Sequence, residues 1–231
     1  MGGQAGVRAG TRTAPTCDGL IAKNNAYHAD SPVQITRSPD YLVSYFLITN
    51  RQNPVILDSM PKPYPYTLAI FDIDGTLTEI KPEVLARNPR LVSPNKRGQQ
   101  QALPGAGEKL AELSKAGVKI ALATNRGGVA WGYNTLAESE DVAREAAELC
   151  GIPDAPIYLC PYHAKARGPR AVTEFAREDG CRKPNPGMLL EAMADAGADA
   201  GETIFVGDMD SDREAAENAG VRFFWAGEFF S

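Results

Sequence analysis

Apolar residues in this chain fall in short blocks separated by polar and glycine- or proline-rich segments. From residue 66 onward the blocks switch between two periods. Runs of four to six consecutive apolar residues suit strands buried on both faces, and runs with three- or four-residue spacing suit amphipathic helices. The pattern predicts strands at Leu68–Asp72, Val118–Ala123, Ile157–Cys160, Thr203–Val206 and Arg222–Trp225. Between them it predicts helices at Gly105–Ala116, near Ser139–Leu149, roughly at Pro169–Arg177, at Pro186–Ala196 and at Ser211–Ala219. In the first of these helices Leu110 and Leu113 share a face, and Gly117 is a stop signal.

Strand–helix alternation with non-alternating strands implies a three-layer, Rossmann-like α/β fold: a parallel sheet with helices on both faces. In such sheets ligands sit beyond the carboxyl ends of the strands. The segment before residue 66 reads differently. Residues 1–15 are small and polar, as in a disordered tail. Residues 16–65 hold a candidate hairpin (Tyr41–Thr49, a turn at Asn50–Asn53, then Pro54–Asp58) and a stiff linker at Pro61–Pro65. They suggest a small β-rich extension, with the main domain at 66–231.

Composition narrows the classes. The chain has 231 residues, 43% apolar and 23% charged, with a net charge of −5, so bulk electrostatics disfavour tight nucleic-acid binding. No run approaches the roughly 18 apolar residues of a membrane helix. The first fifteen residues lack the apolar core of a secretory signal. Four cysteines fit a reducing compartment better than a disulfide scaffold, so the expected location is cytoplasmic.

Four polar clusters follow the predicted strands. Asp72 and Asp74 lie in Phe71-Asp72-Ile73-Asp74-Gly75-Thr76-Leu77-Thr78, just past a buried strand. Two unpaired carboxylates there are costly to desolvate unless a cation or a reaction requires them. One carboxylate can attack phosphorus to give an acyl-phosphate, the other can serve as acid and base, and Mg²⁺ can screen the charge. Thr124-Asn125-Arg126-Gly127-Gly128 follows the second strand; it suits a phosphoryl oxygen and is equally a common turn. Arg182-Lys183-Pro184 is an anion site where a proline opens a helix, or a solvated patch. Gly207-Asp208-Met209-Asp210-Ser211-Asp212 supplies a metal ligand in Asp208 and a residue in Asp212 that orients a ligating water or Lys183. N-capping of the next helix by Asp210 or Ser211 is compatible with this.

The order and placement of these clusters resemble the haloacid dehalogenase-like (HAD) phosphohydrolase superfamily, over about residues 66–231. Motif I is Asp72-Ile73-Asp74-Gly75-Thr76-Leu77, motif II Thr124, motif III Lys183, and motif IV Gly207-Asp208 with Asp212. The resemblance implies Asp72 as nucleophile and Asp74 as general acid/base, with phosphate held by Thr124 and Lys183. It also implies Mg²⁺ on Asp72, the Asp74 carbonyl and Asp208. Thr124-Asn125 and Arg182 through Leu189 are similar to the branch containing histidinol-phosphatase, heptose-bisphosphate phosphatase and polynucleotide 3′-phosphatase, which has little or no cap. In that branch the residue matching Arg182 touches substrate. The branch pattern runs Thr-Asn-Gln, whereas this chain has Arg126.

Sugar-phosphate members of the branch often carry a zinc loop, Cys-x-His followed by Cys-x-Cys. Here Cys160, His163, Asp179 and Cys181 occupy the corresponding region. They offer Zn²⁺ a mixed ligand set; a relic loop held by packing is the alternative. Cys17 and Cys150 read as plain thiols. The segment Glu79–Leu103 is a long loop at the expected mouth, with Lys81, Arg87, Arg90, Lys96 and Arg97. It is either a solvated insertion or a contact for a second phosphate or a nucleic-acid backbone. Trp131 and Tyr133 flank a sugar or base, or pack in the core. The expected activity is Mg²⁺-dependent hydrolysis of a small sugar- or polyol-phosphate. A polynucleotide 3′-phosphatase is the alternative and a non-catalytic phosphate-binding module the third reading.

Overall fold

The computed structural model describes residues 63–231; the hairpin expected at 41–58 lies outside the described residues. Five parallel strands form the central sheet: β1 (Leu68–Phe71), β4 (Lys119–Asn125), β5 (Ile157–Cys160), β6 (Thr203–Gly207) and β7 (Arg222–Trp225). Their spatial order is β5-β4-β1-β6-β7. Strand β1 is therefore central, and the chain leaves it toward β4 on one side and β6 on the other. That reversal is the switch point at which an open α/β sheet forms a crevice.

All four residues of β1 and all five of β6 are buried, the pattern expected of strands covered on both faces. Successive side chains of β1 feed two separate cores. Ala69 and Phe71 join Leu110, Leu113, Ala143 and Ala146, from α2 (Ala106–Lys115) and α3 (Leu136–Leu149). Leu68 and Ile70 join Met188, Leu189, Ala215 and Ala216, from α4 (Gly187–Ala196) and α5 (Asp210–Ala219). The two-residue period of a strand produces this division. Fully burying each Leu, Ile or Phe side chain contributes about 1.5–3 kcal/mol.

The segment expected as a long loop, Glu79–Leu103, is partly regular. Strand β2 (Thr78–Ile80) pairs antiparallel with β3 (Gln100–Ala102), and the short helix α1 (Pro82–Arg87) lies between them. Its far end is fastened to α3: Gln100 donates to the Val142 carbonyl at 2.7 Å, and the Gly98 N–H donates to Glu145 at 2.7 Å. Arg97 is spent in the same way, on Asp141 at 3.0 Å and on Glu148. Arg97 thus secures the insertion.

The helix expected at Pro169–Arg177 does not form; the stretch is a series of turns. Backbone bonds from Val172 to the Ala130 carbonyl and from His163 to the Phe175 carbonyl bind it to neighbouring loops. These long-range bonds override a weak local helical preference. The helix after Lys183 begins at Gly187, so Pro186, and not Pro184, precedes it. No described helix is long and apolar enough to cross a membrane.

Candidate active site

Asp72 follows β1 directly, and its N–H continues the ladder to the Val206 carbonyl at 2.9 Å. The chain then closes a tight turn in which the Ile73 carbonyl accepts from Leu77 at 2.9 Å and Thr78 at 3.0 Å. Ile73 and Leu77 are fully buried and anchor the turn. Ile73 is buried in the core, whereas Asp72 and Asp74, on either side of it, each meet a cation at the site: Lys183 and Arg126. Gly75 completes the turn at φ +81°, and a Cβ there would stand 2.2 Å from Asp208 Oδ2. Only glycine suits both the left-handed backbone and the approach of the carboxylate.

Lys183 reaches this point from the loop that precedes α4. Its Nζ donates to Asp72 Oδ1 at 2.6 Å and to the Ala123 carbonyl at 3.0 Å, and pairs with Asp212 Oδ1 at 2.7 Å. All three side chains are buried. Burial pushes the Asp72 carboxyl up to about 7, Asp212 and Asp74 adding to the rise and Lys183 opposing it. Burial pulls the Lys183 ammonium down, but Asp72 and Asp212 outweigh it and hold the ammonium above its ordinary value. Asp212 also accepts the Met209 N–H at 3.1 Å. The first turn of α5 is therefore capped by Asp212 reaching back, and not by Asp210 or Ser211, which lie inside the helix.

Carboxylate oxygens of Asp72, Asp208 and Asp212 lie within 4.8 Å of one another. Hard oxygen donors at this spacing suit a divalent cation such as Mg²⁺. Asp208 is exposed, with its carboxyl raised by desolvation first and by Asp212 second, so it is the carboxylate of the set most open to an incoming cation. Asp212, with one oxygen on Lys183 and the other on a backbone N–H, is better placed to orient the lysine.

Strand β4 delivers Thr124 and, two residues on, Arg126 to one face. Both are buried, and neither Thr124 Oγ1 nor any Arg126 side-chain nitrogen has a hydrogen-bond partner among the described residues. Asp74 Oδ1 and Thr76 Oγ1 are unpartnered as well. Unsatisfied buried polar atoms are rare, and the unpartnered oxygens of Thr124, Asp74 and Thr76 mark a place where a ligand completes the network. Asn125 points to the opposite face. Its amide donates to the Lys183 carbonyl at 3.1 Å and its carbonyl oxygen accepts the Lys183 N–H at 3.1 Å. The Asn125 side chain, expected at the phosphate, is thus spent on clamping the lysine loop.

The remaining predicted residues divide. Arg182 is half-buried and donates to the Tyr162 carbonyl at 3.2 Å; its guanidinium also lies 3.0 Å from where a Cβ on Gly127 would stand. It therefore borders the motif II turn. Trp131 stacks on Tyr133 with an interplanar angle of 10°, and His163 packs edge-on against Trp131. Tyr133 is 60% exposed, so this pair is a surface platform and not core.

The zinc expectation is not met. Cys160 and Cys181 are joined as a disulfide, so neither sulfur is a thiolate free to bind metal. His163 Nδ1 accepts the Lys165 N–H at 3.2 Å, and Asp179 accepts from Cys181 N at 3.1 Å and pairs with Arg177. Cysteine count alone could not distinguish a disulfide from a metal loop. Burial raises the Cys150 thiol to about 11, which makes it an inert core residue.

A buried carboxylate–lysine–carboxylate triad at a sheet switch point, with a third carboxylate two residues after Asp72 and an exposed fourth at Asp208, is an arrangement that suits metal-assisted group transfer. Comparison with known proteins agrees. A family profile described as HAD-hydrolase-like matches residues 180–226, which include Lys183, Asp208 and Asp212. The chain is similar to the D-glycero-beta-D-manno-heptose-1,7-bisphosphate 7-phosphatase of Pasteurella multocida, with 33% identity over 131 residues, 54% of this chain and 66% of the relative. The enzyme of the same name from Escherichia coli K12 is 35% identical over 127 residues, 52% of this chain and 62% of the relative. The chain thus spans just under two thirds of the length of these curated relatives. Among solved structures it resembles the D,D-heptose 1,7-bisphosphate phosphatase of B. bronchiseptica, complexed with magnesium and phosphate. That match has a TM-score of 0.52 and 26% identity, and covers 68% of this chain and 78% of the other. The chain is thus similar, in sequence and in fold, to hydrolases of the HAD superfamily.

Proposed function

We propose that residues 66–231 form a Mg²⁺-dependent phosphomonoester hydrolase acting on a small sugar- or polyol-phosphate, a sugar bisphosphate being within that class. The observation that carries the reading is Asp72: a buried carboxylate 2.6 Å from an equally buried lysine, with Asp74 two residues on and Asp208 within reach of a shared cation. Similarity to enzymes named heptose-bisphosphate phosphatases supports the substrate class.

Each residue has a role that follows from its place. A carboxylate oxygen of Asp72 attacks phosphorus in line with the ester oxygen. The phosphorus–oxygen bond breaks, and Asp74 gives its proton to the departing alkoxide. Asp74 then takes a proton from water as that water attacks the aspartyl-phosphate, releasing inorganic phosphate and restoring Asp72. Thr124 and Lys183 donate to phosphoryl oxygens, and Asp212 and the Asn125 clamp hold Lys183 in place. Mg²⁺ bound by Asp72, the Asp74 carbonyl and Asp208 would neutralise charge on the phosphoryl group. Arg182 and the Trp131–Tyr133 platform border the side from which a leaving group enters.

The test is phosphate release from a panel of sugar phosphates and a 3′-phosphorylated oligonucleotide, with Mg²⁺ supplied. Turnover of sugar phosphates that disappears in Asp72→Asn is expected. Preference for the oligonucleotide would assign the polynucleotide branch instead, and no release from any ester would leave a binding module.

A further inference from the structure

We propose that Arg126 is a positioning residue for the phosphoryl transfer: its buried guanidinium holds the Asp74 carboxylate in place and acts on the substrate only through it. This rests on the phosphatase reading above. Arg126 is 3% exposed, and Nε, Nη1 and Nη2 make no hydrogen bond among the described residues. Among the described residues its one ion-pair partner is Asp74, with Nη1 3.1 Å from Oδ2 in a geometry too poorly aligned for a hydrogen bond. A guanidinium buried without acceptors is expensive, and removing the only charge that faces it makes it more so. Nothing in the surrounding backbone uses its donors, so a role in holding loops together leaves the burial unexplained.

The arrangement has a plain electrostatic logic. Asp72 and Asp74 are like charges two residues apart and repel each other. Lys183 compensates Asp72, and Arg126 compensates Asp74, from opposite sides of the turn. Strand β4 makes this available because Thr124 and Arg126 project from the same face of the chain. The Arg126 N–H continues the ladder onto the Cys160 carbonyl at 2.8 Å, which fixes the stem of the side chain. Asp74 is 26% exposed and the guanidinium beside it 2%, so an incoming ligand reaches the carboxylate more readily. A carboxylate clamped at its rear oxygen has fewer orientations available, and proton transfer to the ester oxygen depends on that orientation.

The consequence is specific to the leaving group. An alkyl phosphate needs its departing oxygen protonated, whereas an aryl phosphate with an acidic phenol does not. Arg126→Gln, Arg126→Lys and Arg126→Ala in the full chain should be assayed with Mg²⁺ on a hexose phosphate and on p-nitrophenyl phosphate. We expect kcat/KM for the alkyl ester to fall about 10- to 100-fold in Arg126→Gln, and for the aryl ester by less than about 3-fold. Inhibition by inorganic phosphate should stay unchanged. Arg126→Lys should keep part of the activity, and guanidinium ion in solution should restore part of it to Arg126→Ala. Equal losses on both esters would mark a merely structural role, weaker inhibition by phosphate a direct phosphoryl contact, and undiminished turnover no role; each overturns the proposal while leaving the phosphatase reading intact. Absence of turnover in the wild type would defeat the phosphatase reading and this proposal with it.

Discussion

Replacing Lys183 by methionine removes one positive charge from between two buried carboxylates while keeping the length of the side chain. Asp72 is 6% exposed and Asp212 1% exposed, and Lys183 Nζ sits 2.6 Å from one and 2.7 Å from the other. Removing one partner of a buried ion pair costs about 3–5 kcal/mol, because the remaining charge stays desolvated. For a domain of this size that corresponds to a fall of roughly 6–20 °C in melting temperature. The measurement is urea and thermal denaturation in EDTA, so that no cation replaces the ammonium. A second variant, Lys183→Met with Asp212→Asn, should recover part of the loss, since it removes a carboxylate along with its partner. The linkage has a definite sign. The ammonium is held above its ordinary value of 10.5, so its contribution is full below that pH and declines as pH rises through the folded value. Melting temperatures of wild type and Lys183→Met should therefore converge in strong alkali. A single variant within about 1 kcal/mol of wild type at neutral pH without metal would refute the view that this lysine holds the site's charge.

Other expectations are independent of that variant. The Asp72 carboxyl is raised from 3.8 to about 7, so the metal-free protein binds an extra proton in that window and the stability from this group declines as pH rises through it. Mg²⁺ removes the penalty, so the Mg²⁺-induced rise in melting temperature should be larger near pH 8 than near pH 5; equal increments would contradict it. Reduction of the Cys160–Cys181 bridge, which spans 21 residues, should cost about 3 kcal/mol on the loop-entropy model, and metal analysis should find no stoichiometric zinc; zinc at one equivalent would overturn the disulfide assignment. Gly75→Ala should destabilise by about 1 kcal/mol or more and weaken Mg²⁺ binding, because the methyl group meets Asp208 at φ +81°; unchanged Mg²⁺ affinity by calorimetry would show that Asp208 is not a ligand.

The strands, and the places of Asp72 and Asp208 at their ends, were legible because burial on both faces leaves a strong sequence signal. Asp72 after Leu68–Phe71 and Asp208 after Thr203–Gly207 are the clearest cases. Lys183 was readable only through its motif, since nothing local says that it crosses to Asp72 and Asp212. Failures came where long-range contacts decide. The turns at 169–177 look helical until the Val172 and His163 backbone bonds are seen. Arg97 looks like a phosphate ligand until α3 supplies Asp141. Cys160 and Cys181 carry the same sequence signal whether they bind zinc or each other. Arg126 stood out as a departure from the branch pattern, but its burial beside Asp74 is a tertiary fact.

The central claim is that Asp72 becomes phosphorylated during turnover. Acid-quenching the enzyme within a single turnover of a sugar phosphate, followed by peptide mass spectrometry, tests it directly. One added phosphate is expected on the peptide carrying Asp72, abolished in Asp72→Asn. Turnover that continues with no phosphate on that peptide, or with phosphate on another residue, would contradict it.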